Sequence, residues 1–146
     1  MKRAHLLLAA AAILCLGCVA AVADALVVTD EERLEAFVDA LSGEVSSERI
    51  DDALSFAQTD QLPLTLRAGS RERTYDDRDA ELARRIREGI EPFVGTEAEL
   101  IQHDIRVDGD VADVHLRVRT VRGSISAAIE LEKVDGRWLI AEANLR

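Results

Sequence analysis

Among the side chains of this sequence that are suited to acid–base chemistry, His103 has the most suggestive position. It alternates with Ile101, Ile105 and Val107 along a predicted strand, and this spacing predicts that it points toward the interior. A buried imidazole that titrates near neutrality is able to act as a general base or to orient a ligand. The alternative interpretation is an interior histidine that one hydrogen bond satisfies. His103 is therefore a candidate for a catalytic or ligand-binding residue.

Three further residues, Tyr75, Trp138 and Glu142, are candidates for the lining of a ligand site. Glu142 shares its side of a predicted strand with Trp138 and Ile140. This places a carboxylate at the mouth of a pocket or, alternatively, at a solvated strand end. Tyr75 either donates a hydrogen bond into the pocket or packs a hairpin against a helix.

The sequence contains no convincing motif for metal binding, phosphate binding or redox chemistry. Cys15 and Cys18 form a C-x-x-C pattern, but both lie inside a hydrophobic leader. Asp108-Gly109-Asp110 lacks the distal bidentate glutamate of a calcium loop and is typical of a turn. Neither a phosphate-cradling glycine loop nor a serine elbow is present. The sequence therefore predicts no metal and no cofactor.

The composition indicates one acidic globular domain. The chain has 146 residues and carries 28 acidic against 18 basic residues, for a net charge of −10. Because such a surface repels polyanions, nucleic acid is excluded as a partner. With 48% hydrophobic residues, the chain is too apolar to be disordered.

The N-terminal segment has the features of a secretory signal peptide. A positive end precedes an unbroken apolar run over residues 6–16. Ala21-Val22-Ala23 then has the small-x-small pattern that signal peptidase accepts, directly before Asp24. We therefore expect a signal peptide over 1–23, a mature domain over 24–146, and export to the periplasm or the extracellular space.

A second processing route stays open. Leu16-Gly17-Cys18 resembles the end of a bacterial lipoprotein signal, in which Cys18 is acylated and becomes the new N-terminus. The protein would then be lipid-anchored at the cell envelope. On either route, we expect contact with a membrane only through the leader or this lipid. Cleavage at Ala23 would leave a mature chain without cysteine and therefore without disulfides.

The first half of the mature chain has helical patterns that enclose one hairpin. Thr29 and Glu32 form a capping box that opens a helix, and Gly43 stops it. A second helix is predicted from about Ser47. A hairpin is predicted from residues 62–66 and 71–75, with its turn at Ala68-Gly69-Ser70. A third helix is predicted from an apolar stripe between Leu82 and Phe93, and Asp76, Asp77 and Asp79 lie at its start.

From Thr96 onward the hydrophobic pattern changes from a helical period to a period of two. Four antiparallel strands are predicted over residues 97–107, 111–121, 125–134 and 137–145. The turns between them contain glycine next to aspartate or serine, as hairpins require. Helices followed by an antiparallel sheet define the α+β class.

The turn at Gly123-Ser124 predicts the register of the middle hairpin. In a two-residue turn at these positions, Leu116 faces Leu131 and His115 faces Glu132. One face of the sheet is then apolar and the other carries opposite charges, each pair of which contributes about 0.2–1 kcal/mol.

The order of the elements resembles that of the nuclear transport factor 2-like superfamily. The stretch Asp135-Gly136-Arg137-Trp138-Leu139-Ile140 is similar to the Asp-Gly-(Arg/Lys)-Trp-x-Ile sequence that closes many of these domains. The resemblance covers most of residues 29–146. It implies a cone-shaped α+β barrel, in which helices pack on a curved antiparallel sheet around an apolar cavity. A cystatin-like or other α+β roll is the structural alternative.

The superfamily contains enzymes such as ketosteroid isomerase, scytalone dehydratase and the SnoaL-like polyketide cyclases, and also many non-enzymatic binding and dimerisation domains. The catalytic residues of the enzymes do not carry over to this chain. Its first helix has Phe37 rather than a tyrosine donor, and no acid falls on the apolar face of residues 101–107.

Three functions are compatible with these patterns. The first is an exported domain that binds a small apolar ligand or a protein partner without catalysis. The second is a cofactor-free lyase or isomerase that uses His103 with Tyr75 or Glu142. The third is a structural homodimerisation module that uses the charged face of the sheet around Arg117 and Glu130.

Overall fold

The computed structural model describes residues 28–76 and 81–146. The predicted leader, with Cys18, Ala23 and Asp24, lies outside these residues, as does the predicted acidic helix start at 77–80. Within them, three α-helices are present: α1 (Asp30–Ala40), α2 (Ser47–Leu54) and α3 (Glu81–Ile90), followed by a 3-10 helix (Glu91–Phe93). The strands are β1 (Gly43–Glu44), β2 (Leu64–Ala68), β3 (Arg71–Tyr75), β4 (Glu97–Asp108), β5 (Val111–Thr120), β6 (Gly123–Val134) and β7 (Arg137–Leu145).

The seven strands of the described residues form one curved sheet in the order β1-β4-β5-β6-β7-β2-β3. Neighbouring strands are antiparallel except β7 and β2, which are parallel. The predicted α+β class is confirmed. The sheet does not close into a barrel, since β1 and β3 are its two edges.

The local signals of the first half are confirmed. The Thr29 backbone N–H donates to Glu32 Oε2 at 2.7 Å, and the Glu32 N–H donates to Thr29 Oγ1 at 3.2 Å, which is the predicted capping box. Ser46 caps α2 by accepting a hydrogen bond from the Arg49 backbone N–H. The predicted hairpin is β2 with β3.

The predicted register of β5 and β6 is wrong by four residues. The two-residue turn is Val121-Arg122, so that Thr120 pairs with Gly123 and Leu116 pairs with Ala127. The Thr120 hydroxyl closes this turn, since it accepts from the Arg122 N–H at 3.2 Å and donates to the Gly123 carbonyl at 3.1 Å. An even shift leaves every side chain on the predicted face of the sheet.

The actual register brings two acidic residues together, with a basic residue of β4 beside them. It places Asp113 directly opposite Glu130, two like charges that disfavour pairing. On the other side of Asp113, however, β4 supplies Arg106. His115 faces Ala128 rather than the glutamate that the hairpin alone predicted.

The core lies between α1 and one face of the sheet, here called the inner face. Leu34, Phe37 and Val38 of α1 are buried against Val114 and Leu131, which lie on adjacent strands. Polar and charged side chains occupy the opposite, outer face of β4 and β5. None of the helices in the described part of the chain is long and apolar enough to cross a bilayer.

Candidate functional site

The inner face of the sheet does not pack against the helices over its whole area, and a cavity of about 480 Å³ remains. Strands β5, β6 and β7 form its floor, and α2 and α3 form the opposite wall. Alternation in the strands and a stripe on each helix direct apolar side chains to it. Its lining includes Phe37, Leu41, Val45, Ile50, Ala53, Leu54, Ala57, Leu64, Leu66, Leu82, Ile86, Ile90, Phe93, Ala98, Leu116, Val118, Ile125, Ala127, Ile129, Ile140, Ala143 and Leu145.

Two lining residues carry polar side chains, Thr120 and Arg85. The Thr120 hydroxyl is engaged in the β5–β6 turn, and Arg85 belongs to α3. No carboxylate lines the cavity among the described residues, although the chain as a whole is strongly acidic. The cavity therefore suits a molecule that is apolar over most of its surface.

His103 lies on the inner face of β4, opposite Leu116, but it does not line the cavity. Its Nε2 atom is 3.1 Å from Glu35 Oε2 of α1, and the side chain is 35% exposed. The strand thus directs His103 to the predicted face. At this end of the strand, however, the face meets the polar side of α1 rather than an apolar interior.

A β-bulge at Ile101 changes the phase of β4. Leu100 pairs with Val118 and Gln102 pairs with Arg117, so Ile101 has no partner in β5. The prediction that Ile101 is in phase with His103 is therefore wrong, and Ile101 is exposed.

Tyr75 is buried between the hairpin and α3 rather than directed into the cavity. It forms a small cluster with Leu64 and Leu82, and the Arg73 guanidinium lies 5.2 Å from the centre of its ring. This arrangement corresponds to the packing role that the sequence offered as the alternative.

Trp138 is 3% exposed and fixes the start of α1 to the sheet. Its Nε1 donates to Asp30 Oδ1 at 3.0 Å, and Lys133 Nζ donates to Asp30 Oδ2 at 2.8 Å. The Lys133 ammonium also lies 5.6 Å from the centre of the indole ring. Hydrogen bonds from Lys133 and then Trp138 lower the pKa of the Asp30 carboxyl. Trp138 is therefore a structural anchor outside the cavity.

This anchor predicts an acid-dependent contribution to stability. Because the pKa of Asp30 is lowered by folding, its contribution is fully present above its unfolded value of about 3.9 and is lost as the pH falls through the folded value. We expect Asp30→Asn to be less stable than wild type at neutral pH, and the difference to shrink below about pH 4. Urea unfolding followed by circular dichroism at several pH values measures this.

Glu31→Gln is the matched control, since Glu31 neighbours Asp30 in the first turn of α1 and is exposed. It is expected to keep the wild-type acid dependence. Parallel pH profiles for wild type and Asp30→Asn would contradict the role of this carboxylate.

Glu142 lies on the outer face, opposite Glu130, because Ala141 forms a bulge in β7. The prediction that Glu142 shares a face with Ile140 is therefore wrong. Arg67 of β2 forms ion pairs with Glu142 and with Glu72, the latter at 2.7 Å. The hydrogen bond to Glu72 and the charge of Glu142 raise the pKa of Arg67.

The four candidates from the sequence are thus dispersed, and none of them lines the cavity. The residues that do line it are apolar side chains of the strands and of the stripes on α2 and α3, such as Ile50, Leu54 and Ile86. Their spacing predicted burial, but no sequence signal distinguishes a side chain that faces a cavity from one that packs tightly. Residues 28–76 and 81–146 contain no cluster of three histidine, cysteine or acidic side chains arranged to hold a metal.

No protein-family model matches the sequence, and no curated protein matches it significantly. Solved structures do match the fold. One is an NTF2-like (nuclear transport factor 2-like) protein of unknown function from Shewanella baltica, at 13% identity and a TM-score of 0.52, covering 82% of this chain and 97% of that one. Another is an NTF2-like protein of unknown function from Pseudomonas putida, at 12% identity and a TM-score of 0.56, covering 77% and 79%.

A de novo designed protein with a curved β-sheet also matches, at 20% identity and a TM-score of 0.56, covering 81% of this chain and 99% of the design. Helices on one face of a curved, open sheet define an α+β domain. Within that class, this chain has the nuclear transport factor 2-like fold. The resemblance seen in the sequence is confirmed at the level of the fold.

Proposed function

We propose that this protein is an exported domain that binds a small apolar ligand, without catalysis, in the cavity between its sheet and helices α2 and α3. The observation that carries the proposal is the cavity of about 480 Å³ with its almost wholly apolar lining. Its volume falls in the range of small-molecule sites, about 300–1,000 Å³. Burial of an apolar ligand there would be driven by the area removed from water.

The character of the lining supports binding rather than chemistry. A general acid or base must lie within hydrogen-bond reach of the reacting atom. Among the described residues that line the cavity, only Arg85 carries an ionisable side chain, and a guanidinium remains protonated in proteins. A lyase or isomerase would require His103 with Tyr75 or Glu142, and these three residues lie on different elements and faces.

Arg85 is the one charged residue among the described lining, and it lies on the exposed side of α3. The rest of the described lining is uncharged, so it suits the apolar body of a ligand.

The export part of the proposal rests on the sequence of the leader. The apolar run over residues 6–16 and the Ala21-Val22-Ala23 site favour cleavage before Asp24. Acylation of Cys18 is the alternative, and it would hold the same binding domain at the cell envelope.

Filling the cavity tests the proposal. Ala127 lies on the inner face and lines the cavity, whereas the next residue, Ala128, faces the outer side of the same strand. We expect the neutral fluorescent probe N-phenyl-1-naphthylamine to bind wild type, and Ala127→Phe to weaken this binding at least about tenfold. Ala128→Phe is the matched control and is expected to bind the probe within about twofold of wild type.

Fluorescence titration measures the binding, and circular dichroism with thermal melting establishes that both variants are folded. Absence of probe binding to folded wild type would overturn the proposal. So would equal binding by folded Ala127→Phe, since the probe would then occupy another surface.

A further inference from the structure

Among the described residues, the edge of β4 that faces away from β5 is unpaired over most of its length. In the described part of the chain, β1 is the strand on this side of β4, and it pairs only with Glu97 and Ala98. From Gln102 to Asp108 every residue is exposed except Ile105, which is half-buried. A sheet edge of this kind presents a row of backbone N–H and carbonyl groups that a further strand is able to pair.

The open segment of β4 is regularly paired with β5 and has Ile105 as its central residue. The bulge at Ile101 marks its start and the turn at Gly109 marks its end, and between them pairing with β5 runs without interruption. The segment is Gln102-His103-Asp104-Ile105-Arg106-Val107-Asp108, with Ile105 in the middle. Asp104 and Arg106 flank Ile105 on the outer face, where their side chains form an ion pair at 3.0 Å.

We propose that the β4 edge pairs antiparallel with β4 of a second copy of this chain, centred on Ile105, so that one sheet runs through both copies. In this register Asp104 lies directly opposite Arg106 of the second copy, and two-fold symmetry repeats the pair. Gln102 lies opposite Asp108, and no like charges face each other. Opposite charges at directly facing positions stabilise antiparallel pairing.

The same charges disfavour the neighbouring registers of β4–β4 pairing, because these bring like charges together. A pairing centred on Asp104 would place this carboxylate opposite its own copy. A pairing centred on Arg106 would place two guanidinium groups opposite each other and Asp104 opposite Asp108. A shift by one residue would join the inner face of one copy to the outer face of the other.

The pairing would also cover exposed apolar surface on the inner face of β4. Val107 is 42% exposed, and in the proposed register it lies opposite His103 of the second copy, beside the Ile105 pair at the centre. The contact involves one short strand from each copy, so it is small compared with a permanent interface. We therefore expect a dimer that forms reversibly with concentration.

Charge reversal at the edge tests this proposal, with analytical ultracentrifugation of the purified protein over a range of concentrations. Arg106→Asp places acids opposite Asp104, and Asp104→Arg places arginines opposite Arg106. Each change acts twice in a symmetric dimer, so each variant is expected to dimerise at least about tenfold more weakly than wild type. The double variant Asp104→Arg/Arg106→Asp is expected to recover the wild-type dimer.

An equimolar mixture of the two single variants is expected to form a heterodimer, because each then supplies the charges that the other lacks. Arg117→Asp is the matched control, since Arg117 lies on the outer face one strand away from the edge. It is expected to dimerise like wild type. A wild type that is monomeric at all concentrations, or single variants that dimerise unchanged, would overturn the proposal. A dimer that only Arg117→Asp weakens would also overturn it, in favour of face-to-face association.

Discussion

Replacing Phe37 by alanine is expected to lower the free energy of unfolding by about 3–5 kcal/mol. Phe37 is 1% exposed in the core between α1 and the sheet, and its ring lies 4.8 Å from that of Phe56, centre to centre. The substitution removes the apolar transfer energy of the ring and also extends a cavity that Phe37 already lines. Packing is therefore lost on two sides of one side chain.

Urea unfolding followed by circular dichroism measures this loss. Phe93→Ala is the matched control, because Phe93 is half-buried at the edge of the same cavity, where Arg122 stacks on its ring at 4.9 Å. Phe93→Ala is expected to lower the free energy of unfolding clearly less than Phe37→Ala does. A loss below about 1 kcal/mol for Phe37→Ala would show that the core closes over the vacated space.

Replacing Trp138 by alanine is expected to lower the free energy of unfolding by a similar amount, about 3–5 kcal/mol. The substitution empties a buried site and also removes the N–H that donates to Asp30. The Asp30 carboxylate would keep Lys133 as its partner, but the start of α1 would lose its apolar support on β7. The variant should therefore be destabilised without a direct effect on the cavity.

Trp138→Phe separates the two contributions. It keeps an aromatic ring and most of the buried volume but loses the hydrogen bond to the Asp30 carboxylate, so a cost of about 1.5–3 kcal/mol is expected. Because Trp138 is the only tryptophan, both variants are compared by circular dichroism rather than by intrinsic fluorescence. Unchanged stability in Trp138→Ala would contradict the anchoring role. If folded Trp138→Phe no longer bound the probe, Trp138 would instead be part of the ligand site.

Local chemistry decided the elements that the sequence predicted well. The hydroxyl of Thr29 and the carboxylate of Glu32 are three residues apart, so the capping box follows from the sequence alone. Asp135-Gly136 forms the turn between β6 and β7, with φ values of 50° and 77° that this pair adopts readily. The four strands of the second half begin and end within two residues of their predicted bounds.

Register and phase depended on partners that are distant in the chain. The charges of the β5–β6 hairpin alone predict a register four residues away, whereas the actual register places Asp113 between Glu130 of β6 and Arg106 of β4. Each of the two bulges, at Ile101 and Ala141, inserts one residue and so reverses the alternation beyond it. For that reason Glu142 lies on the outer face although its spacing from Ile140 predicted the inner one.

The sequence by itself determined the α+β class, the helices and strands, and which side chains of β5 and β6 face inward, because these depend on caps, turns and periodicity within short segments. The tertiary structure alone decided that His103 meets Glu35, a residue 68 positions away, and that Trp138 holds Asp30. It also decided that the apolar stripes of α2 and α3 enclose a cavity. Burial can be predicted from spacing, but the distance between a helix and a sheet is set by the packing of the whole domain.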